Sequence, residues 1–435
     1  MGKIRLLIVG ISWPPETFIY RFIEGLVRAG VEVTVATAQM PGSRDGLKVK
    51  WLFTPLWDGS PFTRLMRLVW MGFKGILRSP SDIRLIARQL QALPKFQPLL
   101  PTARSSTRHN SSLITRNSPL INTERLREWY RFLPFVGQRW DVIYFPWNSA
   151  AIEHLLLFDW GCPVVVSCRG SQVNVAPHNP KRYSIREGLK ITFQKAAAVH
   201  CVSEDIKREA IRYGLDPAKA WVIRPAVDPN FFFPAQNQQS RKGVFRIVTI
   251  GSLIWRKGYE YALLAVRQLV DVGVPVQFDI IGDGPERQRV LYTVYDLGLQ
   301  DHVRLLGRLP PEQVRDRLQQ ADVFLLSSLS EGISNAVLEA MACGLPVVTT
   351  DCGGMTEAVT DGVEGFVVPV RDPEAMAEAL LKLWKDPELR KRMGKAARER
   401  VLREFSLDQQ ISAFLSLFKS VIQADTVGHL KAGDW

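Results

Sequence analysis

The sequence predicts an α/β protein built from two doubly wound parallel-sheet domains that face a cleft. Three observations carry this prediction. The chain has 435 residues, more than one compact core usually holds. A strand–helix–strand alternation starts near residue 4 and starts again near residue 245. Between the two series lies the polar stretch Ala235–Gly243, which reads as a linker.

The first series opens with the strand-length apolar run Ile4–Val9 and a turn containing Trp13-Pro14-Pro15. An amphipathic helix follows from Thr17 to Ala29, with Gly30 placed to end it, and then a strand over Val31–Ala36. That βαβ order implies a parallel sheet. Further apolar strand runs occur at Val142–Phe145, Pro163–Ser167 and Ala198–Val202. After Arg241 the expected strands are Phe245–Ile250, Gln277–Ile281, Val303–Leu306, Val323–Ser327 and Pro346–Thr350. The helices expected between and after them are Tyr259–Val272, Glu286–Leu297, Glu312–Gln320, Ser334–Cys343 and Pro373–Trp384, with Gly365–Pro369 hairpin-like. A last amphipathic segment covers Ser406–Gln423, whereas Pro101–Thr123 is polar, lacks periodicity and reads as a mobile loop.

Composition is that of an ordinary folded globular protein, 46% hydrophobic and 23% charged. The five cysteines form no CxxC pair, which suits free thiols in a reducing compartment. MGKIRLLIVG reads as a first strand rather than a signal peptide, and no run of 18 apolar residues is present. The expectation is a cytoplasmic protein. The net charge of +13 is uneven, because Thr54–Arg131 holds 13 Lys/Arg against four Asp/Glu and so carries +9. A locally basic stretch points to an anionic surface or ligand, and points less to nucleic acid than uniform basicity would. Within it, Pro61–Leu77 (PFTRLMRLVWMGFKGIL) interleaves Trp and Phe with Arg64, Arg67 and Lys74. Such a segment suits the inner face of the plasma membrane, where each cation near an anionic leaflet adds about 1 kcal/mol. The alternative is apolar packing onto the first domain with solvated arginines.

The most specific segment is SLSEGISNAVLEAMACGLPVVTTDCGG, Ser328–Gly354. Glu331 precedes a helix, Ser334 is a candidate N-cap, and Glu339 lies about one turn inside. A carboxylate at the helix mouth and one on its flank can meet an extended ligand at two points. Backbone N–H groups of the Gly332–Asn335 turn can meet an anion or sugar hydroxyls. Two glutamates alone would suit a capped helix with solvated side chains equally well.

Glu331-x7-Glu339 followed by Ala340-Met341-Ala342-Cys343-Gly344-Leu345-Pro346 resembles the retaining GT-B glycosyltransferases of the glycosyl transferases group 1 family. GSLIWRKG (Gly251–Gly258), IIGDGPE (Ile280–Glu286), LLGRLPPEQV (Leu305–Val314), CVSEDIK and IRPAVDPNFFFP extend the resemblance in the family's order. It implies an acceptor-side domain over 1–235 with a basic insertion near 54–131, and a donor domain over 243–405. It also implies a terminal helix, 406–435, that crosses back to the first domain. The activity implied is retaining, metal-independent transfer from a UDP- or GDP-sugar to a carbohydrate or lipid-linked acceptor, with no bound cofactor and no nucleic-acid partner. Envelope or extracellular polysaccharide synthesis is the implied setting.

Expelling a diphosphate requires fixed cations at the leaving oxygens. No Asp-x-Asp metal signature is present, and Arg256 and Lys257 fall at the C-terminal edge of a predicted strand, where such folds bind ligands. The resemblance makes Lys257 the diphosphate lysine, puts Glu331 beside the donor sugar, and gives Glu339 the ribose hydroxyls. Gly251, Ser252, Gly282, Gly284, Arg308, Gly332, Ile333, Ser334 and Asn335 complete the donor side. The family often has arginine where Ser252 stands, so either Arg256 supplies that charge or the diphosphate is held less tightly. On the acceptor side, Glu16, Thr17 and Arg169 are the candidates. Trp13-Pro14-Pro15-Glu16-Thr17-Phe18 replaces the common Gly-Gly loop and resembles a branch with a Ser-Glu-Thr-Phe signature. Two familiar histidines are replaced by the sequences Phe145-Pro146-Trp147-Asn148 and Cys168-Arg169-Gly170-Ser171. His154, His178 and His200 read as structural. A sugar-nucleotide epimerase of the same fold and a catalytically weakened polyanion-binding relative are the competing readings.

Overall fold

The computed structural model describes residues 3–39, 46–92, 123–180, 183–235 and 243–432. The segment expected to be a mobile loop lies outside these residues except for Thr123, and so does most of the expected linker.

The first sheet comprises β1 (Arg5–Ile8), β2 (Glu32–Thr37), β3 (Lys50–Phe53), β4 (Val142–Phe145), β5 (Val164–Cys168), β6 (Ala198–Cys201) and β7 (Ala220–Val222). The second comprises β8 (Phe245–Ile250), β9 (Val276–Ile281), β10 (Val303–Gly307), β11 (Val323–Leu326), β12 (Val347–Thr350) and β13 (Gly365–Val368). Strand orders are β3-β2-β1-β4-β5-β6-β7 and β10-β9-β8-β11-β12-β13. The strand pairings are parallel, as in β1 with β4 and β8 with β9. Each order reverses direction once, beside β1 in the first sheet and beside β8 in the second. Crevices open at such points, outside the carboxyl ends of the strands.

Alternation along the strands explains why each sheet is covered on both faces. Leu7 and Val9 pack into one core and Leu6 and Ile8 into the opposite one. In the second sheet, Phe245 and Ile247 face one layer and Val248 the other. Strands buried on both faces are nearly continuous apolar runs, which is why most of them were legible.

Two elements differ from expectation, and the basic stretch between β3 and β4 is helical, as read for Pro61–Leu77. Gly365–Val368 is a parallel edge strand paired with β12, not a hairpin. Its glycine allows the tight approach, since a Cβ at Gly365 would lie 1.8 Å from the Val347 carbonyl oxygen. The stretch between β3 and β4 contains helices Pro61–Arg78, Pro80–Ala92 and Thr123–Phe132. Asp82 anchors the second of these to Arg139 at 2.9 Å. Finally, the chain enters the second unit before the polar stretch. Phe232 is buried in the second unit's core, and Arg398 donates to the carbonyls of Phe232 and Ala342 at 2.8 Å. Phe231-Phe232-Phe233 is too apolar to serve as a solvated connector.

The helix Leu407–Ala432 returns to the first sheet, where Phe414, Leu417, Phe418 and Val421 join the core beside Ile19 and Phe22. The two crossings lie side by side. Val227 pairs with Ser406, its N–H donating to the Phe405 carbonyl at 3.0 Å, and Gln410 donates to the Arg224 carbonyl at 2.9 Å. No helix among the described residues is long and apolar enough to cross a membrane.

Candidate active site

The turn Trp255–Lys257 follows β8, and the loop Ser327–Ser334 follows β11, the neighbouring strand. Strand adjacency therefore joins residues 70 or more positions apart in sequence. The Leu329 N–H donates to the Arg256 carbonyl at 2.7 Å, and the Ser327 hydroxyl to the Lys257 carbonyl at 2.9 Å. Gly258 takes φ +60°, and a Cβ there would lie 2.3 Å from the Ser327 carbonyl oxygen, so only glycine permits this junction.

At the centre, Lys257 Nζ stands 2.5 Å from Glu331 Oε1, and the Ser328 hydroxyl donates to the same oxygen at 2.7 Å. Their side chains are 13% and 10% exposed for Lys257 and Glu331. Burial pushes the Glu331 carboxyl up, but the Lys257 ammonium and the Lys257 and Ser328 hydrogen bonds outweigh it, with the Arg256 charge adding to them. The net effect holds Glu331 below the usual carboxylate range. Lys257 is thus not the solvated turn residue its sequence position suggests. It reaches over Gly251, where a Cβ would touch its Cε at 3.2 Å. Arg256 approaches the Ser330 carbonyl at 3.5 Å, next to the pair, whereas Ser252 is exposed.

The glycines of the β9 loop serve packing. Gly282 has φ +140°, and a Cβ there would fall 1.9 Å from the Gly251 carbonyl oxygen. A Cβ at Gly284 would lie 2.5 Å from the Leu253 carbonyl oxygen. Arg308, beyond the end of β10, is exposed and two strands away from β8.

The helix Asn335–Ala342 begins where expected, but its entry is more buried than a simple anion cradle. Ile333 is 7% exposed within the second core, and the Ser334 N–H points at the Met355 sulfur, 3.4 Å away. The Ser334 side chain makes no capping bond. Gly332 presses on the first unit, where a Cβ would lie 2.8 Å from Val202. Asn174, on the first unit's short helix Ser171–Asn174, donates to the Glu331 carbonyl at 3.3 Å. Across the same seam, the Arg224 guanidinium stands 3.1 Å from Glu357.

Glu339 faces a recess between the units. Thr17 and Arg21 line it from the helix Thr17–Arg28, Asn335 and Glu339 from the second unit, and Gln410 from the returning helix. Burial raises the Glu339 carboxyl to about 7, with the Arg21 charge opposing. Arg21 also lies over the Phe231 ring at 4.5 Å. Of the acceptor-side candidates, Thr17 therefore borders the recess and Glu16 is exposed at the head of its helix. Arg169 stacks on Phe18 and Trp147 and donates to the Pro146 carbonyl at 3.3 Å.

Two of the three histidines noted in the sequence are wholly or partly buried and held by internal hydrogen bonds. His200 is buried between the Ser167 hydroxyl (2.6 Å) and the Ile223 carbonyl (2.8 Å), and burial lowers it to about 3. His154 meets the Ala150 carbonyl at 2.8 Å, and burial lowers it to about 4. His178, by contrast, is exposed and approaches the Tyr213 hydroxyl at 3.4 Å. Sequence reasoning missed Ser328, Arg21 and Asn174. Ser328 alone carried a signal, since it opens the segment that contains Glu331.

A family model described as "Glycosyl transferases group 1" matches residues 233–400, and one described as "Glycosyl transferase 4-like domain" matches residues 15–226. The amylovoran biosynthesis glycosyltransferase AmsK of Erwinia amylovora is 34% identical over 41% of this chain and 45% of its own. The putative colanic acid biosynthesis glycosyltransferase WcaL of Salmonella typhimurium is 32% identical over 46% and 52%. The matches thus span about half the length of each of these relatives. The crystal structure of Anabaena Alr3699/HepE in complex with UDP-glucose aligns over 95% of this chain and 99% of that one, at TM-score 0.65 and 18% identity. The shared architecture is the GT-B fold.

Proposed function

Because the chain belongs to the glycosyl transferases group 1 family, we propose that it transfers a sugar from a UDP- or GDP-sugar to a polysaccharide, oligosaccharide or lipid-linked acceptor, with retention at the anomeric carbon. The observation that carries the reading is the buried Lys257–Glu331 pair at the crevice beside β8, with Asn174 of the first unit donating to the Glu331 backbone carbonyl. The names of the relatives support the reaction type: one serves amylovoran biosynthesis, and a protein of the same fold binds UDP-glucose.

In this reading the bond between the anomeric carbon and the leaving phosphate oxygen breaks as the acceptor oxygen bonds to the same face. The acceptor proton passes to the departing phosphate oxygen, so no histidine base is required. Lys257 has three N–H donors, of which Glu331 engages one, leaving two for the developing diphosphate charge. Arg256 adds a second cation, and the chemistry runs without a metal. Glu331 stands beside the sugar and keeps Lys257 aimed. Glu339 takes the ribose hydroxyls. The reading includes peripheral contact with the inner face of the plasma membrane, where a lipid-linked acceptor would be met. Epimerisation is the second reading, but it needs both a base and an acid flanking the sugar, and Glu331, held ionised by its lysine, could serve only as the base.

Nucleotide binding tests the donor half. UDP or GDP is expected to raise the melting temperature, because a ligand that binds only the folded state stabilises it. Glu339→Ala is expected to remove most of that shift while leaving kcat at saturating donor within a fewfold, because ribose contacts are made in ground and transition states alike. In wild type the nucleotide shift is expected to grow as pH rises through about 7, where Glu339 ionises. The unliganded protein should behave oppositely. A carboxyl raised from 4.5 to about 7 stabilises the fold at low pH and loses that contribution as pH rises through 7. Thermal-shift titrations of both proteins across this range check the two slopes. No shift with any nucleoside diphosphate would refute the reading.

A further inference from the structure

The helix Pro61–Arg78 packs the wrong way round for a soluble protein. Its inward face is narrow: Leu68 and Met71 touch the first core, and Gly75 is buried where a Cβ would lie 2.9 Å from Ile83. Its outward face carries Phe62 (71% exposed), Met66 (54%), Val69 (59%), Trp70 (59%), Phe73 (63%) and Leu77 (70%). At 3.6 residues per turn, these six residues form one stripe about 100° wide along the whole helix. An amphipathic helix normally turns such a stripe inward, and a continuous exposed apolar surface of this kind marks an interaction site.

Charge selects the partner. Arg67, Lys74 and Arg78 line one flank of the stripe; Arg67 is paired with Asp58 at 3.2 Å, and Lys74 Nζ sits 3.6 Å from the Trp70 ring centroid. The surrounding stretch, residues 54–131, carries +9. A second copy would bring the same positive charge and be repelled. An anionic lipid leaflet supplies both what the stripe lacks, an apolar medium, and negative charge for the Lys74 and Arg78 end of its flank.

We propose that the outward stripe of helix Pro61–Arg78, flanked by Arg67, Lys74 and Arg78, is a docking surface that lies in the interface of an anionic membrane. This gives the membrane contact in the reading above its specific surface. Binding is measured without donor or turnover, so its failure and that of sugar transfer are distinguishable.

The test is flotation of the full chain with vesicles of phosphatidylcholine, alone or with rising fractions of phosphatidylglycerol. Binding is expected to rise with phosphatidylglycerol and to fall with salt. Trp70→Ser/Phe73→Ser and, separately, Lys74→Glu/Arg78→Glu should each weaken it by roughly tenfold or more. Because these side chains are solvent-exposed, neither variant should melt below wild type. No binding to phosphatidylglycerol vesicles at low salt overturns the proposal, as does unchanged binding by both variants. A wild-type dimer that Trp70→Ser/Phe73→Ser dissociates, without vesicle binding, would give the stripe to a second copy. A monomer that ignores vesicles and is destabilised by those serines would give it to another segment of the same chain.

Discussion

Replacing Lys257 with alanine is expected to lower kcat by two or more orders of magnitude at saturating donor. Removing one donor that meets developing negative charge costs about 100- to 1000-fold. The same change is also expected to destabilise the protein, because Lys257 is the cation that compensates a buried carboxylate. Breaking one side of a buried pair costs about 3–5 kcal/mol. The two effects separate in a double variant. Lys257→Ala/Glu331→Gln removes the stranded charge and should regain part of the lost melting temperature, yet stay as inactive as the single variant. Calorimetric melting and kcat measured well below the transition read both. A single variant with normal turnover would remove Lys257 from the leaving-group site. Recovery of activity along with stability would mean that its role is structural.

Glu331→Gln is expected to lower kcat about 100-fold while changing nucleotide Kd little, since an interaction made mainly in the transition state appears in turnover. The amide keeps the shape and the Ser328 hydrogen bond but no longer holds the ammonium by charge. The wild-type pair also has a pH signature. Its carboxyl is held below 4.5, so its contribution to stability is complete above that value and is lost as pH falls through the lower folded value. The glutamine variant should lack that acid-side loss. Turnover near wild type, or a large change in nucleotide Kd with kcat intact, would show that Glu331 does not stand at the sugar.

Much of the fold was legible because parallel strands buried on both faces spell near-continuous apolar runs, as in Val164–Cys168 and Val347–Thr350. The edges were not. Lys50–Phe53 and Ala220–Val222 are only partly buried, so their strands lack that signature. The insertion helix Pro61–Arg78 could be read as apolar and basic, but not which way it faced. That depends on Gly75 and Ile83 meeting across two helices. Lys257 and Glu331 stood out through their motifs, whereas their pairing did not, because it follows from β8 lying beside β11. The Ser334 N–H illustrates the reverse. A helix start suggests free donors, but Met355, twenty-one residues on, already faces it.

Sugar transfer itself is followed with a radiolabelled UDP- or GDP-sugar incubated with the full chain, with and without lipid extract. Label is expected to move to an acceptor, the new linkage to keep the donor's anomeric configuration, and the reaction to continue in the presence of chelator. Glu331→Gln and Lys257→Ala are expected to lose that transfer. Label recovered as an epimerised sugar, or transfer with inverted configuration, would contradict the retaining mechanism built on the Lys257–Glu331 pair.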